Sequence, residues 1–445
     1  MPHPSTILAV AVVLGFMILI HEFGHYAAAK FFKVRVEVFS IGFGKRLVGF
    51  RKGETDYRIS VIPLGGYVKM SGENPMDERT GDAGEFLSHP KWQRFIVALA
   101  GPAMNIALAV GLLTVVYMVH YERPIFADKP AIIGWVLPDT PAAKAGFQEG
   151  DRIIKLDGIE NPTWEQVEPR VALSANQAIQ VTILRAGQTL EKSVTPEAKG
   201  IEQYGTLGLV ADQPTVITDL EPGMPAEKAG LKVGDVIVAV NGQPIKEIAQ
   251  MIGMLQKTKD APVEVTVQRG AEQATFTMKP VATPMAGTKE LRYRVGFLNE
   301  PTISGRLSFV PALTRSLADN KRSSFLILEL LQKMIRNKVS LRTVEGPIGI
   351  SSAVGRAVRE EGWTPLLGIT AAISLNLGIF NLLPIPILDG GVILLLIVES
   401  LIQRDISLRI KERIYQAAFV VLMAFFAFVM FNDVTKLPIF THLKP

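Results

Sequence analysis

The sequence predicts a multi-pass α-helical membrane protein with four transmembrane spans, two inserted α+β domains and a membrane-associated β-hairpin-like loop. Three observations predict this fold. Of the 445 residues, 48% are hydrophobic and only 20% are charged. Four apolar runs approach the roughly 20 residues that a helix needs to cross a bilayer. Between the second and third runs the chain changes to short β-rich segments separated by Gly and Pro, as expected of folded domains outside the membrane.

The composition also excludes several classes of protein. The chain has no cysteine, which rules out disulfide scaffolds, thiolate zinc sites and cysteine nucleophiles. Its high hydrophobicity and low charge exclude a disordered chain. The net charge is +5, but no basic stretch carries the interleaved aromatic residues of a nucleic-acid surface, so we expect no nucleic-acid partner. The expected surroundings are a lipid bilayer.

The four apolar runs give the predicted spans. The first begins near Thr6, and no Lys or Arg precedes it, so it is not a signal peptide. The alternative is that one run is a buried helix of a soluble domain. Four apolar runs with alternating flanking charge favour the membrane interpretation. The predicted spans are 1–30, 95–119, 365–402 and 414–431.

The distribution of Lys and Arg predicts the orientation of the spans. Twelve of these residues lie between Lys30 and Arg94, and four lie between Arg404 and Arg413. Because cytoplasmic loops are enriched in Lys and Arg, these two connections are placed in the cytoplasm. The predicted cytoplasmic segments are therefore 31–94 and 403–413, and the predicted extracytoplasmic segments are 120–364 and the tail 432–445.

The extracytoplasmic region contains a tandem repeat. Residues 141–158 match residues 225–242 at a constant offset of 84. Each copy predicts a short helix that ends at a glycine, a tight Gly-Asp turn, an alternating strand and a second turn. The repeat indicates two domains of one kind, with boundaries at 120–212 and 213–300.

The two copies resemble PDZ domains in the bacterial permuted form, whose last strand follows the rest. The segments 205–209 and 294–298 are expected to supply those strands. A PDZ groove binds an extended chain as an added strand, which implies a peptide ligand. The alternative is that the copies only fill space or screen access to a site in the membrane.

The first span contains a metal-binding pattern, HEFGH. His21 and His25 are four residues apart and share a helix face, while Glu22 lies beside them and can act on a bound water. Ionisable residues inside a span are costly and indicate a functional site. The alternative is a proton or ion pathway of a transporter, but no inverted repeat of the spans is visible.

A catalytic zinc site takes three protein ligands, so a third must come from elsewhere. His3, His120 and His442 fall on the opposite side of the membrane, and His89 lies in the basic loop. Elimination therefore points to Asp389, the only acid in the apolar stretch 365–398.

Asp389 follows two prolines that must break the helix. Pro384 and Pro386 lack backbone N–H groups, and irregular backbone at this depth is tolerated only around a protein-lined or watery cavity. The alternative role for Asp389 is that of an N-cap for the next helix, and one residue can fill both roles.

Three motifs together resemble the site-2 protease family of intramembrane zinc metalloproteases. They are HEFGH in the first span, GPAMN at 101–105 and NLLPIPILDGG at 381–391, in family order. The paired PDZ copies are similar to the bacterial regulator of sigma-E protease branch. The resemblance implies a zinc endopeptidase of the bacterial inner membrane that cleaves a single-span membrane protein. That substrate is typically an anti-sigma factor already trimmed outside.

The resemblance also assigns roles to residues. It implies that His21, His25 and Asp389 bind Zn2+ and that Glu22 is the general base. It implies that Asn381 holds the unwound substrate near the metal, with Pro386 in the same motif. Val392 departs from close relatives, which often have His or Arg after the glycine pair.

The loop after the first span predicts a β-hairpin-like element, since 34–39, 57–61 and 65–68 alternate between apolar and polar residues and contain Gly turns. In the family the equivalent segment dips into the membrane beside the site. Our hypothesis is that its edge pairs with the unwound substrate. Gly65, Gly66 and Tyr67 are the candidate contacts.

The segment 301–364 is expected to contain an amphipathic helix at 324–338. Such a helix suits the membrane surface or a position beneath the PDZ pair, and ordinary packing explains it equally well. Gly346-Pro-Ile-Gly349 is expected to break the chain before the third span.

Two other function classes are weaker. A PDZ adaptor with a vestigial metal site conflicts with the intact set of His21, Glu22, His25 and Asp389. A periplasmic PDZ serine protease lacks a Gly-x-Ser-x-Gly elbow and an outer His/Asp partner.

Overall fold

The chain divides into two units in the computed structural model, which describes residues 4–73, 80–200, 203–284, 291–336, 339, 344–359 and 362–435. The first unit comprises Met1–Tyr121, Arg306–Glu329 and Val344–Thr435, and the second comprises Glu122–Gly305 and Leu330–Thr343. The long apolar helices belong to the first unit and the PDZ-like copies to the second. Each unit is therefore described by itself.

Among the described residues, four helices are long and apolar enough to cross a membrane, namely Thr6–Phe31, Lys91–Val119, Thr364–Asn381 and Leu408–Thr435. In chain order, the helices are α1 (Pro4–Phe31), α2 (Lys91–Val119), α3 (Pro141–Lys144), α4 (Trp164–Ala172), α5 (Pro225–Ala229), α6 (Ile248–Thr258), α7 (Phe309–Ile335), α8 (Pro347–Arg359), α9 (Thr364–Asn381), α10 (Asp389–Leu401) and α11 (Leu408–Thr435), with a 3-10 turn at Phe86–Ser88.

Two long strands follow α1, and the remaining short strands lie between α2 and α7. They are β1 (Val36–Lys52), β2 (Thr55–Met70), β3 (Tyr121–Pro124), β4 (Ile133–Val136), β5 (Arg152–Leu156), β6 (Ile159–Glu160), β7 (Ile179–Arg185), β8 (Gln188–Val194), β9 (Glu197–Lys199), β10 (Tyr204–Thr206), β11 (Leu209–Ala211), β12 (Asp219–Leu220), β13 (Val236–Val240), β14 (Gln243–Pro244), β15 (Val263–Arg269), β16 (Glu272–Met278), β17 (Val281–Pro284), β18 (Leu291–Arg294), β19 (Phe297–Leu298) and β20 (Thr302–Gly305).

The hairpin of β1 and β2 folds back on itself into a small sheet. Residues 38–41 of β1 have partners on both sides, at 56–59 and at 66–69. Residues 46–52 pair with the outer side of 55–60. Among the described residues, the end of β2 at 66–70 pairs with β1 alone and therefore forms an edge of the sheet.

The third predicted span, 365–402, consists of two helices rather than one. Helix α9 ends at Asn381, and α10 begins at Asp389. The prolines of the intervening segment cannot donate helical hydrogen bonds, which explains the break. Two of the other apolar helices are longer than predicted, because α2 begins at Lys91 and α11 runs from Leu408 to Thr435. Of the predicted tail, residues 436–445 lie outside the described residues.

The predicted amphipathic helix at 324–338 begins much earlier than expected. Helix α7 starts at Phe309, and its first half is tied to α2 by polar contacts that a hydrophobic pattern does not reveal. The Ser316 hydroxyl donates to the Val110 carbonyl over 2.8 Å, and the Tyr117 hydroxyl donates to Asp319 over 2.7 Å. The last two residues of the predicted helix, 337–338, lie outside the described residues.

The expected break at Gly346–Gly349 is wrong, because helix α8 begins there at Pro347. The buried carboxylate of Asp433 accepts hydrogen bonds from the backbone N–H groups of Gly346, Ile348 and Gly349 at 2.9–3.2 Å. An acidic side chain far along the chain thus satisfies the free N–H groups of the α8 N-terminus.

The two repeat copies share their buried charges as well as their sequence pattern. Asp151 and Asp235, both almost fully buried, accept bonds from Arg185 and Arg269 at 2.6–2.7 Å. Each arginine also donates to the carbonyl of the glycine that ends the short helix, at 2.8 Å in the first copy and 3.0 Å in the second. The 84-residue offset of the sequence is therefore an offset of the structure.

The last strand of each copy returns to its first strand. In the first copy β11 pairs with β4, and in the second β19 pairs with β12. Each copy also contains a four-stranded antiparallel sheet, in the orders β6-β5-β7-β8 and β14-β13-β15-β16. This pairing is the arrangement expected of permuted copies, but the last strand of the first copy is Leu209–Ala211, which overlaps the predicted segment 205–209 only at Leu209.

The copies differ at the N-cap of their longer helix. Thr163 caps α4 and Glu247 caps α6, and each is paired with a glutamine three residues later. The Glu247 side chain is only 2% exposed, and its Oε2 has no hydrogen-bond partner among the described residues. A Cβ at Gly134 of the first copy would clash with Oε1 of Glu247. The carboxyl group is thus confined where the two copies meet.

Because burial disfavours its charged form, the pKa of Glu247 rises to about 7, and the negative charges of Asp212 and Glu149 add to this effect. Lys246, beside Glu247, pairs with Glu149 over 2.7 Å. The folded protein therefore holds the Glu247 proton more tightly than the unfolded chain, so stability falls as the pH rises from about 4.5 to about 7.

We expect Glu247→Gln to remove this pH dependence. The variant should gain up to about 3 kcal/mol in free energy of unfolding relative to wild type between pH 4 and pH 8. The measurement is the thermal unfolding of the purified full-length chain at several pH values, with Glu272→Gln on a strand surface as control. Parallel stability profiles of Glu247→Gln and wild type would contradict the prediction.

Candidate metal centre

Two stretches of chain 364 residues apart in the sequence meet at the candidate metal centre. His21 and His25 lie on one face of α1 and are nearly fully buried, and Asp389 is the first residue of α10. Nε2 of His21 lies 3.1 Å from Asp389 Oδ2, Nε2 of His25 lies 3.4 Å from Oδ1, and the two Nε2 atoms are 3.2 Å apart.

These three distances fit a metal ion. Four ligands at the 2.0–2.1 Å typical of zinc form a tetrahedron with edges of about 3.3 Å. Two imidazole nitrogens and one carboxylate oxygen are also a donor set that zinc accepts while leaving a fourth position open. The residues present therefore fit Zn2+.

The His25 ring is fixed by a hydrogen bond on its far side. Its Nδ1 lies 2.8 Å from the carbonyl oxygen of Val97, so Nδ1 carries the proton and Nε2 is free for a metal. The carbonyl comes from α2, which thereby sets the tautomer of a side chain on α1.

The His21 ring has a different partner, the amide of fully buried Asn105. Asn105 Nδ2 lies 3.1 Å from Nδ1 of His21, and its Oδ1 has no hydrogen-bond partner among the described residues. A metal on Nε2 leaves the proton on Nδ1, which then needs an acceptor. A half-turn of the amide brings Oδ1 to that position and satisfies both groups.

Two glycines allow α1 and α2 to approach closely at the centre. A Cβ at Gly24 would clash with the Ala100 carbonyl oxygen. A Cβ at Gly101 would clash with Nε2 of His25 and lie 2.9 Å from Nε2 of His21. Gly101 therefore leaves open the space in which the imidazole nitrogens meet.

Close packing also explains why two glycines follow Asp389. Gly390 and Gly391 are buried, and a Cβ on either would clash with the backbone of residues 382–386. The broken segment therefore folds tightly over the start of α10. Leu388, not Asp389, is the N-cap of α10, so the Asp389 side chain is directed to the two histidines.

Glu22 is held by the edge of the hairpin sheet. The Val68 N–H donates to Glu22 Oε2 over 3.0 Å, and a Cβ at Gly66 would lie 3.6 Å from Glu22 Cγ. Glu22 opens into a cavity of about 380 Å³ that it shares with the three candidate ligands. The lining also includes Tyr67, Val68, Met70, Glu73, Arg94 and Val392.

The structure brings some of the predicted substrate residues to this cavity. Tyr67 lines it, and a Cβ at Gly66 would lie 3.6 Å from Glu22 Cγ. Gly65 has φ +124°, and a Cβ there would clash with the Phe43 ring. Asn381 ends α9, and Pro386 packs on Gly391, but neither lines the cavity.

Two residues of the site were missed by reasoning on residue chemistry. Asn105 and Gly101 both belong to the GPAMN motif, which the sequence analysis used only as a family marker. A polar residue inside an uncharged span was the available signal for Asn105. A glycine has no chemical signal, so the role of Gly101 needed the structure.

The comparisons with known proteins agree with this geometry. The family model for "Peptidase family M50" matches residues 9–425. A "Putative zinc metalloprotease" of Vibrio cholerae is 30% identical, covering 97% of this chain and 98% of the relative. "Protease RseP" of Yersinia pestis is 31% identical, covering 97% and 99%. "Regulator of sigma-E protease RseP" of Escherichia coli is 29% identical, covering 96% and 97%.

Among solved structures, the PDZ domain of an SdrC-like protein from Listeria monocytogenes covers 20% of this chain and 87% of its own, at 19% identity. Its TM-score is 0.17, which is too low to support a conclusion by itself.

Proposed function

Because this chain belongs to peptidase family M50 and is a site-2 type zinc metalloendopeptidase, we propose that it cleaves the transmembrane segment of single-span membrane proteins. The observation that carries the proposal is the convergence of His21, His25 and Asp389 beside Glu22, on helices whose surroundings are apolar. Hydrolysis of a buried peptide bond requires such a polar centre within apolar helices.

We propose that His21, His25 and Asp389 hold Zn2+. Zinc supplies Lewis-acid chemistry when bound, because it polarises a carbonyl group and makes water a stronger nucleophile at neutral pH. The chain supplies the orientation of the ligands through Val97 and Asn105.

Glu22 is proposed as the general base. Its carboxylate takes a proton from the attacking water and then delivers it to the leaving nitrogen of the scissile bond. The hydrogen bond from the Val68 N–H fixes Oε2, and the other oxygen is available for proton transfer. Val392 and Tyr67 line the same cavity and are placed to contact the substrate near the cleaved bond.

The hairpin edge at 66–70 is proposed to receive the substrate. A helical substrate hides its amides, so it must be extended before attack, and an extended chain binds by adding a strand to a free edge. This edge lies on the metal side of the sheet, because the Val68 N–H reaches Glu22. Asn381 and Pro386 are proposed to hold the unwound chain beyond the cavity.

We expect Met70→Pro to slow cleavage by raising KM in a Glu73→Ala background, because it removes an N–H group from this edge. In wild type Glu73 accepts from the same N–H, so the loss of that bond offsets the lost substrate bond. An amide-to-ester exchange at residue 70 removes the same N–H and keeps the buried side chain. The measurement is cleavage of a membrane-embedded substrate, with zinc content and melting temperature as checks on folding. Val48→Pro, on the opposite side of the sheet, is the control. Unchanged KM in both edge variants would refute edge pairing.

The relatives named regulator of sigma-E protease suggest the substrate and the location. We propose that the protein lies in the bacterial inner membrane and cleaves an anti-sigma factor already trimmed outside. The clustering of Lys and Arg in 31–94 and 403–413 supports a cytoplasmic position for these segments. It follows that the PDZ copies lie in the periplasm and the metal centre near the cytoplasmic side.

The PDZ copies are proposed to act on the substrate ectodomain. The second copy has a groove of about 270 Å³ between α6 and residues 292–300, lined by Ile248, Met251 and Leu255. The corresponding groove of the first copy is about 200 Å³. Grooves of this kind accommodate an extended chain, which supports peptide binding by the copies. Screening of bulky ectodomains would depend only on the size of the copies and would need no groove. Comparison of full-length and pre-trimmed substrate with a protein lacking 122–300 separates the two roles.

The competing function is a PDZ adaptor that does not cleave. Purified protein is expected to contain about one zinc per chain, to lose cleavage of a membrane-embedded substrate on chelation and to regain it with zinc. Metal content by mass spectrometry and cleavage by gel analysis test this. Protein that carries zinc and never cleaves would favour the adaptor.

A further inference from the structure

Two carboxylates occupy the free edge of the hairpin sheet. The N–H of Val68 donates to Glu22 over 3.0 Å, and the N–H of Met70 donates to Glu73 Oε2 over 3.2 Å. Residues two apart in a strand direct their N–H groups to the same side. The two bonds therefore cover neighbouring positions on the edge that faces the metal centre.

The two carboxylates differ in how firmly they are held. Glu22 lies on α1, between the two histidine ligands. Glu73 lies just beyond the end of β2, is exposed and also lines the cavity of the metal centre. An exposed side chain on a turn can leave the edge by rotation, whereas Glu22 is half-buried beside the two histidines.

We propose that Glu73 caps the substrate-binding edge of β2 in the resting enzyme and is displaced when the substrate strand pairs with Met70. This inference rests on the proposed edge pairing. An uncovered edge is prone to pair with any extended chain, and a side chain that already accepts from the edge N–H must be displaced before such pairing. An unwound substrate segment must therefore displace Glu73 from the Met70 N–H, which weakens substrate binding.

The proposal predicts a direction for the change in affinity. The substrate carbonyl replaces one acceptor with another at Met70, so the bond to Glu73 is lost whenever the substrate binds. A hydrogen bond to a buried or partly buried group changes an equilibrium by roughly 2- to 10-fold. Removal of the cap therefore favours binding by that factor and leaves the chemical step unchanged.

The test uses the zinc-loaded full-length protein and a single-span test substrate in detergent or lipid. Glu73→Ala should lower KM by about 2- to 10-fold while kcat stays within about 2-fold. Glu73→Gln keeps an acceptor oxygen without the charge, so its KM should lie near that of wild type. Glu37→Ala removes an acid from the same sheet, where it pairs with Lys69 over 2.8 Å, and should leave KM unchanged.

Three results would overturn the proposal. An unchanged or raised KM in Glu73→Ala, whatever its melting temperature, would show that the bond between the Met70 N–H and Glu73 only stabilises the turn. An equal fall in Glu73→Gln and Glu73→Ala would assign the effect to charge. A fall in Glu37→Ala would assign it to the sheet as a whole.

The Met70 variants separate this inference from the proposal beneath it. If edge pairing is right and the cap is wrong, Met70→Pro and the ester at residue 70 raise KM with or without the Glu73 side chain, while Glu73→Ala alone leaves KM unchanged. If edge pairing itself is wrong, the residue 70 variants leave KM unchanged even in the Glu73→Ala background.

Discussion

Glu22→Gln is expected to retain zinc and lose peptide cleavage. The glutamine side chain keeps the shape of Glu22 and an oxygen that can accept from the Val68 N–H, so the position of the side chain is preserved. The amide cannot accept a proton from water. Loss of general base catalysis lowers kcat by about 10²- to 10⁴-fold. Cleavage of a membrane-embedded substrate and metal content by mass spectrometry measure the two properties separately.

The matched control for this variant is Glu37→Gln, since Glu37 lies on the neighbouring sheet and does not line the cavity. It should behave as wild type. Wild-type turnover in Glu22→Gln would contradict the role of Glu22 as the base. Zinc loss in that variant would mean that Glu22 supports the metal site rather than the proton transfer.

Gly101→Ala is expected to disrupt the metal centre without changing any proposed ligand. The added methyl group would clash with Nε2 of His25 and approach Nε2 of His21 to 2.9 Å. Helix α2 is held close to α1 by the contact of Gly24 with Ala100, so it cannot simply move away. We expect zinc affinity to fall by at least the 10- to 100-fold seen when groups around a metal site are altered.

Gly111→Ala is the control on the same helix, because a Cβ at Gly111 meets no atom of the described part of the chain within 4 Å. It should keep wild-type zinc affinity, measured by competition with a chromophoric chelator, and wild-type cleavage. Equal zinc affinities of Gly101→Ala and Gly111→Ala would show that the helices separate more easily than their packing implies. Asp389→Ala removes a proposed ligand completely, so its zinc affinity is the reference for the loss of one ligand.

The parts of the fold that depend on local pattern were predicted well. Four apolar runs correspond to the four helices of the described chain that are long enough to cross a membrane, and the 84-residue repeat gave two copies that also share a buried Asp–Arg pair. The prolines at 384 and 386 indicated the break before Asp389. Each of these features depends on residues close together in sequence.

The parts that depend on contacts distant in sequence were predicted poorly. Helix α8 begins at the Gly-Pro segment that was expected to break the chain before the third span, because Asp433 binds its N-terminal N–H groups from 87 residues away. Helix α7 begins 15 residues before its predicted start, where polar bonds to α2 stabilise it. The edge position of 66–70 follows from the pairing of β1 on both sides, which alternation along a strand does not encode.

The sequence by itself determined the chemistry of this protein, because the type and spacing of His21, Glu22 and His25 and the isolation of Asp389 in an apolar stretch limit what those side chains can do. Tertiary structure alone decided the environment of that chemistry: the tautomer of His25, the acceptor for His21, the space left by Gly101 and the carboxylates on the β2 edge. The physical reason is that donor identity is a property of one residue. Distance, burial and hydrogen-bond satisfaction are properties of groups brought together by folding.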